Sequence, residues 1–378
     1  MTARIAFLGD TLLGGDAQPV LDEHGTDHAI AGIRGLWADA HLVVANHEGP
    51  LTVHDSPATK LDTGKKRYWY KGNPDSAHTL AAAGVRMVSL ANNHILDFGA
   101  DGLLDTMNAL ETAGITHCGA GENDDAAREP AVADVAGLRV GFLSVMQRYN
   151  MYVDDNAYAT KDQPGPARLR PSRLAADIAA LRERVDLCIV LVHWGRNYKD
   201  RTSLQEKLAH GMQQAGADLI IGHHPHIPHP VTILDGVPVV YSLGNAAFGT
   251  RGRYHDGRPP YGLIAIAEVE RHRVTGLELH LIQVNNAIVN YQPQPAFDAE
   301  AQAYLRTLYD PVQLASLATT LPSSNASRPS TTRSGSTSTS VTGPRRACTS
   351  ATTRPAHEDQ QSTIPSPTTC QILDARHS

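Results

Sequence analysis

Short apolar runs of strand length recur along the first two thirds of this chain, and they constrain its fold more than any other feature. Seven of them read RIAFLG, LVVAN, MVSLAN, VGFLSV, LCIVLVHWG, LIIGH and VPVVYSLGN. They are apolar on both faces, and most end in Gly, Asn or His, which is typical of strands buried inside a sheet. Amphipathic stretches of helical period separate them, so the sequence predicts an α/β fold.

Three of the intervening stretches have the features of amphipathic helices. GADGLLDTMNALETAG places four apolar side chains on one stripe: Leu103, Leu104, Met107 and Leu110. This helix is predicted to stop at Gly114. Two more helices are predicted to begin at Pro171, where a first helical turn tolerates proline, and at Ser203.

The last third of the chain has two different patterns. LIAIAEVE and VTGLELHLIQV alternate apolar and polar positions, which predicts strands with one solvent-facing side in an antiparallel part of the sheet system. After about Leu321 the residues are almost all Ser, Thr, Pro, Arg and Gly, a composition that buries too little apolar surface to offset chain entropy. We therefore expect one domain over residues 1–320 and a disordered tail over residues 321–378.

Composition limits the functions that this chain can perform. Its 378 residues are 41% hydrophobic and carry a formal net charge of -6, without a basic stripe, so we expect no nucleic-acid partner. Neither a signal-peptide pattern nor an apolar run long enough for a bilayer is evident, which predicts a cytoplasmic protein without membrane insertion. The four cysteines show no paired metal spacing.

Polar side chains follow the predicted strands at the points where those strands end. They belong to five strand tips: Asp10 after the first, Asn46 and Glu48 after the second, Asn92, Asn93, His94 and Asp97 after the third, then His193, and finally His223, His224 and His226. The carboxyl ends of strands in open α/β sheets converge on one crevice, so these side chains are expected to meet. Taken singly, each has an ordinary explanation as a turn residue, a helix cap or a packed core histidine.

The sharpest single signal is His224-Pro225-His226. On an extended backbone, side chains two residues apart point the same way, so the two imidazoles are expected to hold one metal together. A weak, adventitious metal site is the alternative. A mixed set of carboxylate, amide and imidazole ligands favours Mn, Fe or Zn over Mg or Ca.

These motifs resemble a known family. GDTLLGG, NHEGPLT, SLANNHILDFGADGLLDTMNALETAGI, GAGEN, VHWGRNY, GADLIIGHHPH and VVYSLGN occur in the order seen in CapA-type capsule (poly-gamma-glutamate) synthesis proteins, a group within the calcineurin-like metallophosphoesterase superfamily. The resemblance covers roughly Ile5 to Phe248. It implies a four-layer αββα sandwich with a site for two divalent metal ions at the strand tips.

The resemblance also implies roles for individual residues. The implied metal ligands are Asp10, Glu48 as the bridging carboxylate, Asn93, His193, His224 and His226. His94 is implied as the substrate-facing acid or anion binder. Independently of the resemblance, its neighbour Asp97 is placed to orient the His94 ring, and the alternative is that His94 caps the helix that opens near Phe98. Four positions depart from the family pattern: Leu12, which follows Asp10-Thr11 where the superfamily has His, and also Gly15, His47 and Asn197.

Two classes of function remain open at this stage. One is a metal-dependent hydrolase acting on a phosphoester or on a gamma-glutamyl or other amide bond. The other is a noncatalytic accessory protein of poly-gamma-glutamate biosynthesis or export that uses the same cleft to hold an anionic chain. In either case Asn46, Arg67 and Arg196 are the predicted contacts to a small-molecule or gamma-glutamyl anionic substrate. The sequence specifies no oligomeric state.

Overall fold

The computed structural model of the protein describes residues 2–59, 68–154, 156–254 and 258–318. Its strands are β1 (Ala3–Leu12), β2 (Leu42–His47), β3 (Val85–Ser89), β4 (Thr116–Cys118), β5 (Ala120–Gly121), β6 (Ala131–Val135), β7 (Leu138–Met146), β8 (Gly165–Pro166), β9 (Leu187–His193), β10 (Leu219–His223), β11 (Pro228–Leu234), β12 (Val237–Leu243), β13 (Asn245–Phe248), β14 (Tyr261–Glu270), β15 (Arg273–Gln283) and β16 (Gln294–Pro295). Its helices are α1 (Gln18–His24), α2 (His28–Ala31), α3 (Ser76–Ala82), α4 (Gly99–Thr112), α5 (Asp124–Ala127), α6 (Asn150–Asp154), α7 (Pro171–Arg182), α8 (Ser203–Ala215), α9 (Asn286–Val289), α10 (Ala299–Leu305) and α11 (Pro311–Ser316), with 3-10 turns at Gly15–Ala17 and Arg34–Trp37.

The strands form two large mixed sheets and one small ribbon. The first sheet has the order β16-β15-β14-β1-β2-β3-β4, with β13 also paired to β1, and its β1 to β4 half is parallel. The second sheet has the order β11-β12-β10-β9-β7-β6, in which β12, β10, β9 and β7 are parallel. Both sheets therefore present the carboxyl ends of parallel strands, where side chains from several strands can converge.

Three apolar cores show that the sheets and helices stack as four layers. One core lies between the two sheets and joins alternate residues of both, such as Phe7 of β1 and Ile189 of β9. A second packs α1 to α4 against the outer face of the first sheet, and a third packs α7 and α8 against the outer face of the second. This arrangement is the four-layer αββα sandwich that the resemblance implied.

The structure confirms that the seven apolar runs form strands and that the three amphipathic stretches form helices, with two differences in burial. The predicted solvent-facing side of LIAIAEVE is wrong: β14 is buried on both faces, because Ile264 packs under the helices and Leu263 packs between the sheets. On α4, Leu103 and Leu110 are fully buried, but Leu104 is 39% exposed and lies outside the packed stripe. The predicted tail over residues 321–378 lies outside the described residues.

Among the helices of the described residues, none combines the length and the apolar character needed to cross a bilayer.

Candidate metal centre

Asp10 lies at the end of β1, held by contacts that only a close approach of backbones allows. A Cβ on the preceding Gly9 would lie 2.0 Å from the carbonyl oxygen of Gly244, so glycine is required there. The Asp10 amide donates to that carbonyl at 2.9 Å. Its carboxylate is fully buried and accepts a 2.8 Å hydrogen bond from Nδ2 of Asn46, its partner on β2. Asn46 therefore positions Asp10, and its predicted contact with substrate stays a prediction.

Glu48 follows β2 and points both carboxylate oxygens into the interior. Neither oxygen has a hydrogen-bond partner among the described residues, although the side chain is fully buried. Burial raises the pKa of Glu48 well above its usual value, and the negative charges of Asp10 and Asp97 raise it further. Such a carboxyl is costly in the metal-free protein, and a cation between its neighbours would remove the cost.

The second sheet supplies the imidazoles. His193 ends β9 beside His223, which ends β10, and Nε2 of His193 lies 2.7 Å from Oδ1 of Asn93 on the first sheet's side. The ring of His224 is 4.6 Å from that of His193 and 6.0 Å from that of His226, measured between centroids. The three rings thus surround one volume.

The prediction that His224 and His226 converge because they lie on an extended backbone is wrong. Their φ angles are 96° and 59°, so they occupy a bend after β10 and not an extended strand. Such angles are uncommon for residues with a Cβ and persist where the surrounding structure fixes them. Here the His224 amide lies 3.4 Å from Oδ2 of Asp10, which ties the bend to β1.

Two clusters of metal-type ligands result, and Glu48 belongs to both. One consists of Asp10, Glu48 and His193, and the other of Glu48, His224 and His226; within each, the ligand atoms lie within 4.8 Å of one another. Asn93 adjoins the first cluster through its contact with His193. All six predicted metal ligands therefore meet at one place, and the shared Glu48 occupies the position expected of a bridging carboxylate.

The protonation states suit a cation. Burial lowers the pKa of His224 to about 3 and lowers that of His193 well below its usual value, so both imidazoles are neutral and able to bind a metal. Burial alone would raise the pKa of Asp10, but its hydrogen bond with His226 and the proximity of His226 and His223 outweigh burial and lower it. Nδ1 of His193 and Nδ1 of His224 are buried without hydrogen-bond partners among the described residues. These observations fit a site for divalent metal.

Asn245 fixes the orientation of His226, and the sequence analysis did not single it out. Nδ1 of His226 lies 2.8 Å from Oδ1 of Asn245 and 3.1 Å from Oδ2 of Asp10, so this nitrogen carries the proton and donates. Nε2 is then free and lies 3.9 Å from Oε1 of Glu48. Asn245 also donates to the Tyr254 hydroxyl at 2.7 Å. The available signal was its place directly after the apolar run VPVVYSLG, the same kind of strand tip as the others.

His94 and Asp97 form a pair beside the clusters. Nδ1 of His94 lies 2.7 Å from Oδ2 of Asp97, which also accepts the Tyr70 amide at 2.7 Å. The His94 ring packs 4.2 Å from that of Tyr70 and lies close enough to His193 to contribute to its lowered pKa. Helix α4 begins at Gly99 with Phe98 as its N-cap and no side-chain cap bond, so His94 is not a helix cap.

A cavity of about 290 Å³ opens beside this pair. Asn93 and Asp97 line it on the metal side, and Gly99 and Ala100 line it at the start of α4. Of the predicted basic substrate contacts, Arg196 is exposed and close enough to Tyr149 to influence its pKa, while Tyr149 packs 5.5 Å from the His224 ring. Arg67 lies outside the described residues.

Of the departures from the family pattern, His47 is the one with a clear physical consequence. It is fully buried, and neither ring nitrogen has a partner among the described residues. Burial lowers its pKa to about 4, so the ring is neutral at physiological pH. Neither of the two clusters of metal-type ligands among the described residues includes His47.

Comparison with known proteins places the chain in a family. The family model described as bacterial capsule synthesis protein PGA_cap matches residues 4–250. The chain belongs to this family. The family lies in the metallophosphoesterase-like superfamily, so the CapA-type resemblance and the calcineurin-like fold are confirmed.

Three relatives show the extent of the similarity. The chain is 30% identical over 249 residues to capsule biosynthesis protein CapA of Bacillus anthracis, covering 65% of this chain and 59% of that protein. It is 27% identical over 282 residues to PGA biosynthesis protein CapA of Bacillus subtilis, covering 71% and 72%. It is 33% identical over 224 residues to a probable polyglutamine synthesis accessory protein of Mycobacterium tuberculosis, covering 56% and 59%. The chain thus spans less than two thirds of the first and third of these relatives.

Proposed function

We propose that this protein is a metal-dependent hydrolase with a dinuclear centre. The observation that carries the proposal is the pair of buried ligand clusters that share Glu48, next to the His94–Asp97 pair and an open cavity. A protein that only held its ligand in the cleft would have no need of an imidazole oriented by a buried carboxylate at the edge of the metal site.

The residues divide between two ions. Asp10, Asn93 and His193 would hold one, His224 and His226 would hold the other, and Glu48 would bind both. The mixture of oxygen and nitrogen donors favours Mn, Fe or Zn. When bound, such ions polarise a phosphoryl or acyl oxygen and make water acidic enough to react at neutral pH.

His94 would act as the general acid. Because its Nδ1 is paired with Asp97, its Nε2 is the nitrogen left to give a proton to the departing oxygen or nitrogen of the substrate. Asp97 is itself held by the Tyr70 amide, and Tyr70 covers one side of the ring, so the imidazole has a fixed direction. The reaction class is hydrolysis of a phosphoester or of a gamma-glutamyl or similar amide bond.

A second candidate is a noncatalytic accessory protein of poly-gamma-glutamate biosynthesis. The Mycobacterium tuberculosis relative, a probable polyglutamine synthesis accessory protein, favours it. In this case the same cleft would hold an anionic chain without cleaving it. Both candidates predict metal binding, and they differ only in turnover.

The deciding experiment measures metal content and turnover on the same preparations. Protein loaded in turn with Mn, Fe or Zn is assayed with phosphomonoesters, phosphodiesters and gamma-glutamyl peptides. We expect two ions per chain and turnover of at least one substrate class, lost in Glu48→Gln and kept in the exposed control Glu183→Gln. Full metal loading without turnover of any class would contradict the hydrolase and favour the accessory role.

A further inference from the structure

Arg168 is a half-buried arginine whose guanidinium has no acidic or hydrogen-bonding partner among the described residues. Its Nε atom is buried and unbonded. The nearby Arg170 shows the contrast, because its Nη1 lies 2.8 Å and 3.0 Å from the two carboxylate oxygens of Asp124. A guanidinium presents donors in a planar fork that matches an oxyanion, so an unpaired one at a cavity wall is suited to bind one.

The backbone of Arg168 is held rigidly beside the metal centre. It forms a parallel bridge with Met146 at the end of β7, and the Met146 amide donates to Ala167 while the Leu169 amide donates to Met146, each at 2.8 Å. Met146 is in turn the register partner of His193 on β9. Arg168 therefore lies two strand spacings from a metal ligand, about 10 Å between Cα atoms.

The side chain lines a cavity of about 260 Å³ that adjoins the cleft. Its charged lining residues are Asp124, Lys161, Arg168 and Arg170. Since Asp124 is taken by Arg170, the positive charges of Arg168 and Lys161 have no acidic partner among the lining residues whose side chains the structure describes. Asn156 lines both this cavity and the one that contains Asn93 and Asp97, so the two are neighbours.

We propose that the Arg168 cavity is a second subsite, which binds an oxyanion, carboxylate or phosphate, borne by the same substrate whose reacting group lies at the metal centre. This inference rests on the proposed function only in using the metal cleft as the first subsite. The expected substrate carries two acidic groups, one for each of the two neighbouring cavities. Lys161 would add positive charge to this subsite, and the planar guanidinium of Arg168 would orient the bound oxyanion.

The test measures binding, so it does not depend on turnover. Metal-loaded protein is titrated calorimetrically with glutamate, with a gamma-linked glutamate trimer and with inorganic phosphate. We expect the trimer to bind about tenfold or more tightly than glutamate, because it reaches both subsites with a charge-assisted pair. Arg168→Gln should reduce this preference to within about twofold while leaving phosphate binding at the metal centre unchanged. Arg168→Lys, which keeps the charge without the fork, should fall between.

The matched control is Arg184→Gln, which removes the same charge at an exposed position. Arg184 follows the C-terminal end of α7, whereas Arg170 precedes its N-terminal end. This control should keep the full trimer preference. A trimer preference that survives Arg168→Gln, or that is absent from the original protein, would overturn the subsite. If the original protein shows no trimer preference but binds a second phosphate that Arg168→Gln loses, free phosphate is the occupant and the link to the substrate is overturned. A failure of the hydrolase proposal would appear separately, as absent turnover with the trimer preference intact.

Discussion

The contact between Asn245 and His226 decides which imidazole nitrogen is free for a metal. Asn245 and Asp10 both accept from Nδ1, which leaves Nε2 directed at Glu48. Partners of this kind typically change metal affinity 10–100-fold. We therefore predict that Asn245→Ala weakens the binding of the second ion by about that factor, measured by competitive metal titration. The exposed control Asn108→Ala should bind both ions normally, and an unchanged affinity in Asn245→Ala would show that Asp10 alone fixes the ring.

His94 gives the second prediction at this scale. Replacing it with Asn removes the proposed proton donor but leaves Asp97 and the ligand clusters in place. Turnover of the identified substrate should fall by about 10²–10⁴-fold, while metal content and thermal stability stay unchanged. His78→Asn, an exposed replacement on α3, is the control. Loss of metal or unfolding in His94→Asn would assign His94 a structural role.

The sequence predicted which residues meet at the site better than it predicted how they are held. Residue type and position at strand tips were enough to predict that Asp10, Glu48 and the imidazoles meet. The left-handed angles of His224 and His226 were not predictable, because they arise from the tie between this bend and Asp10 and not from local preference. Asn245 was missed because an Asn after Gly also has the pattern of ordinary turn chemistry.

At the scale of single elements, helix α8 depends on its first turn. Thr202 accepts from the Gln205 amide, and the Gln205 side chain accepts from the Thr202 amide at 2.9 Å, which is a complete capping box. Thr202→Ala should lower the free energy of unfolding by about 1 kcal/mol in urea titrations. Thr202→Ser should restore most of that loss. Equal stability of the two variants would show that the cap contributes little.

The edge of the first sheet contains a pH-sensitive pair of ionic contacts. Nε2 of His280 lies 2.9 Å from the carboxylate of Glu278, and Nη2 of Arg4 lies 2.8 Å from it. These contacts, that of His280 first and that of Arg4 second, hold the pKa of Glu278 at about 2 despite partial burial. A depressed carboxyl pKa stabilises the fold above its unfolded value of 4.5, and this contribution is lost as the pH falls toward 2.

We predict that Glu278→Gln loses about 1 kcal/mol of unfolding free energy at pH 7, a value reduced for solvent screening of this half-buried group. The variant and the original protein should converge in stability as the pH falls from 4.5 to 2. Urea unfolding at pH 7, 4.5 and 3 measures this. A stability difference that stays constant with pH would assign the effect to packing instead of charge.

The sequence predicted strands and helices correctly where the burial of a segment agrees with its hydrophobic period. Strands such as β9 and β10 are apolar on both faces because a sheet or a helix layer covers each side. The pattern of β14 suggested a solvent-facing side, but its small alternate residues are covered by the other sheet and its isoleucines by helices. Short strands such as β5, β8 and β16 have two residues each and exist only through tertiary pairing, so no local pattern announces them.

At the scale of the whole domain, the candidate metal centre lies where the two sheets meet. Asp10 and Glu48 come from the first sheet or directly follow its strands, and His193, His224 and His226 come from the second. Without a cation, the interface between the sheets contains a buried Glu48 carboxyl with no hydrogen bonds among the described residues. A bound metal ion would therefore contribute to the cohesion of the domain.

The last prediction follows from this arrangement. An ion present at a hundredfold excess over its Kd stabilises the folded state by about 2.7 kcal/mol. For a domain of this size that corresponds to roughly 5 °C in Tm per bound ion. Calorimetric scans before and after chelation, with metal content verified, should show this loss. Glu48→Gln should no longer respond to metal, and its Tm should equal or exceed that of the chelated original protein, because the amide is less costly to bury than an unpaired carboxylate. A Tm that does not change when verified metal is removed would mean that the site is preformed without the ion, and that the sheets are held together by the core between them alone.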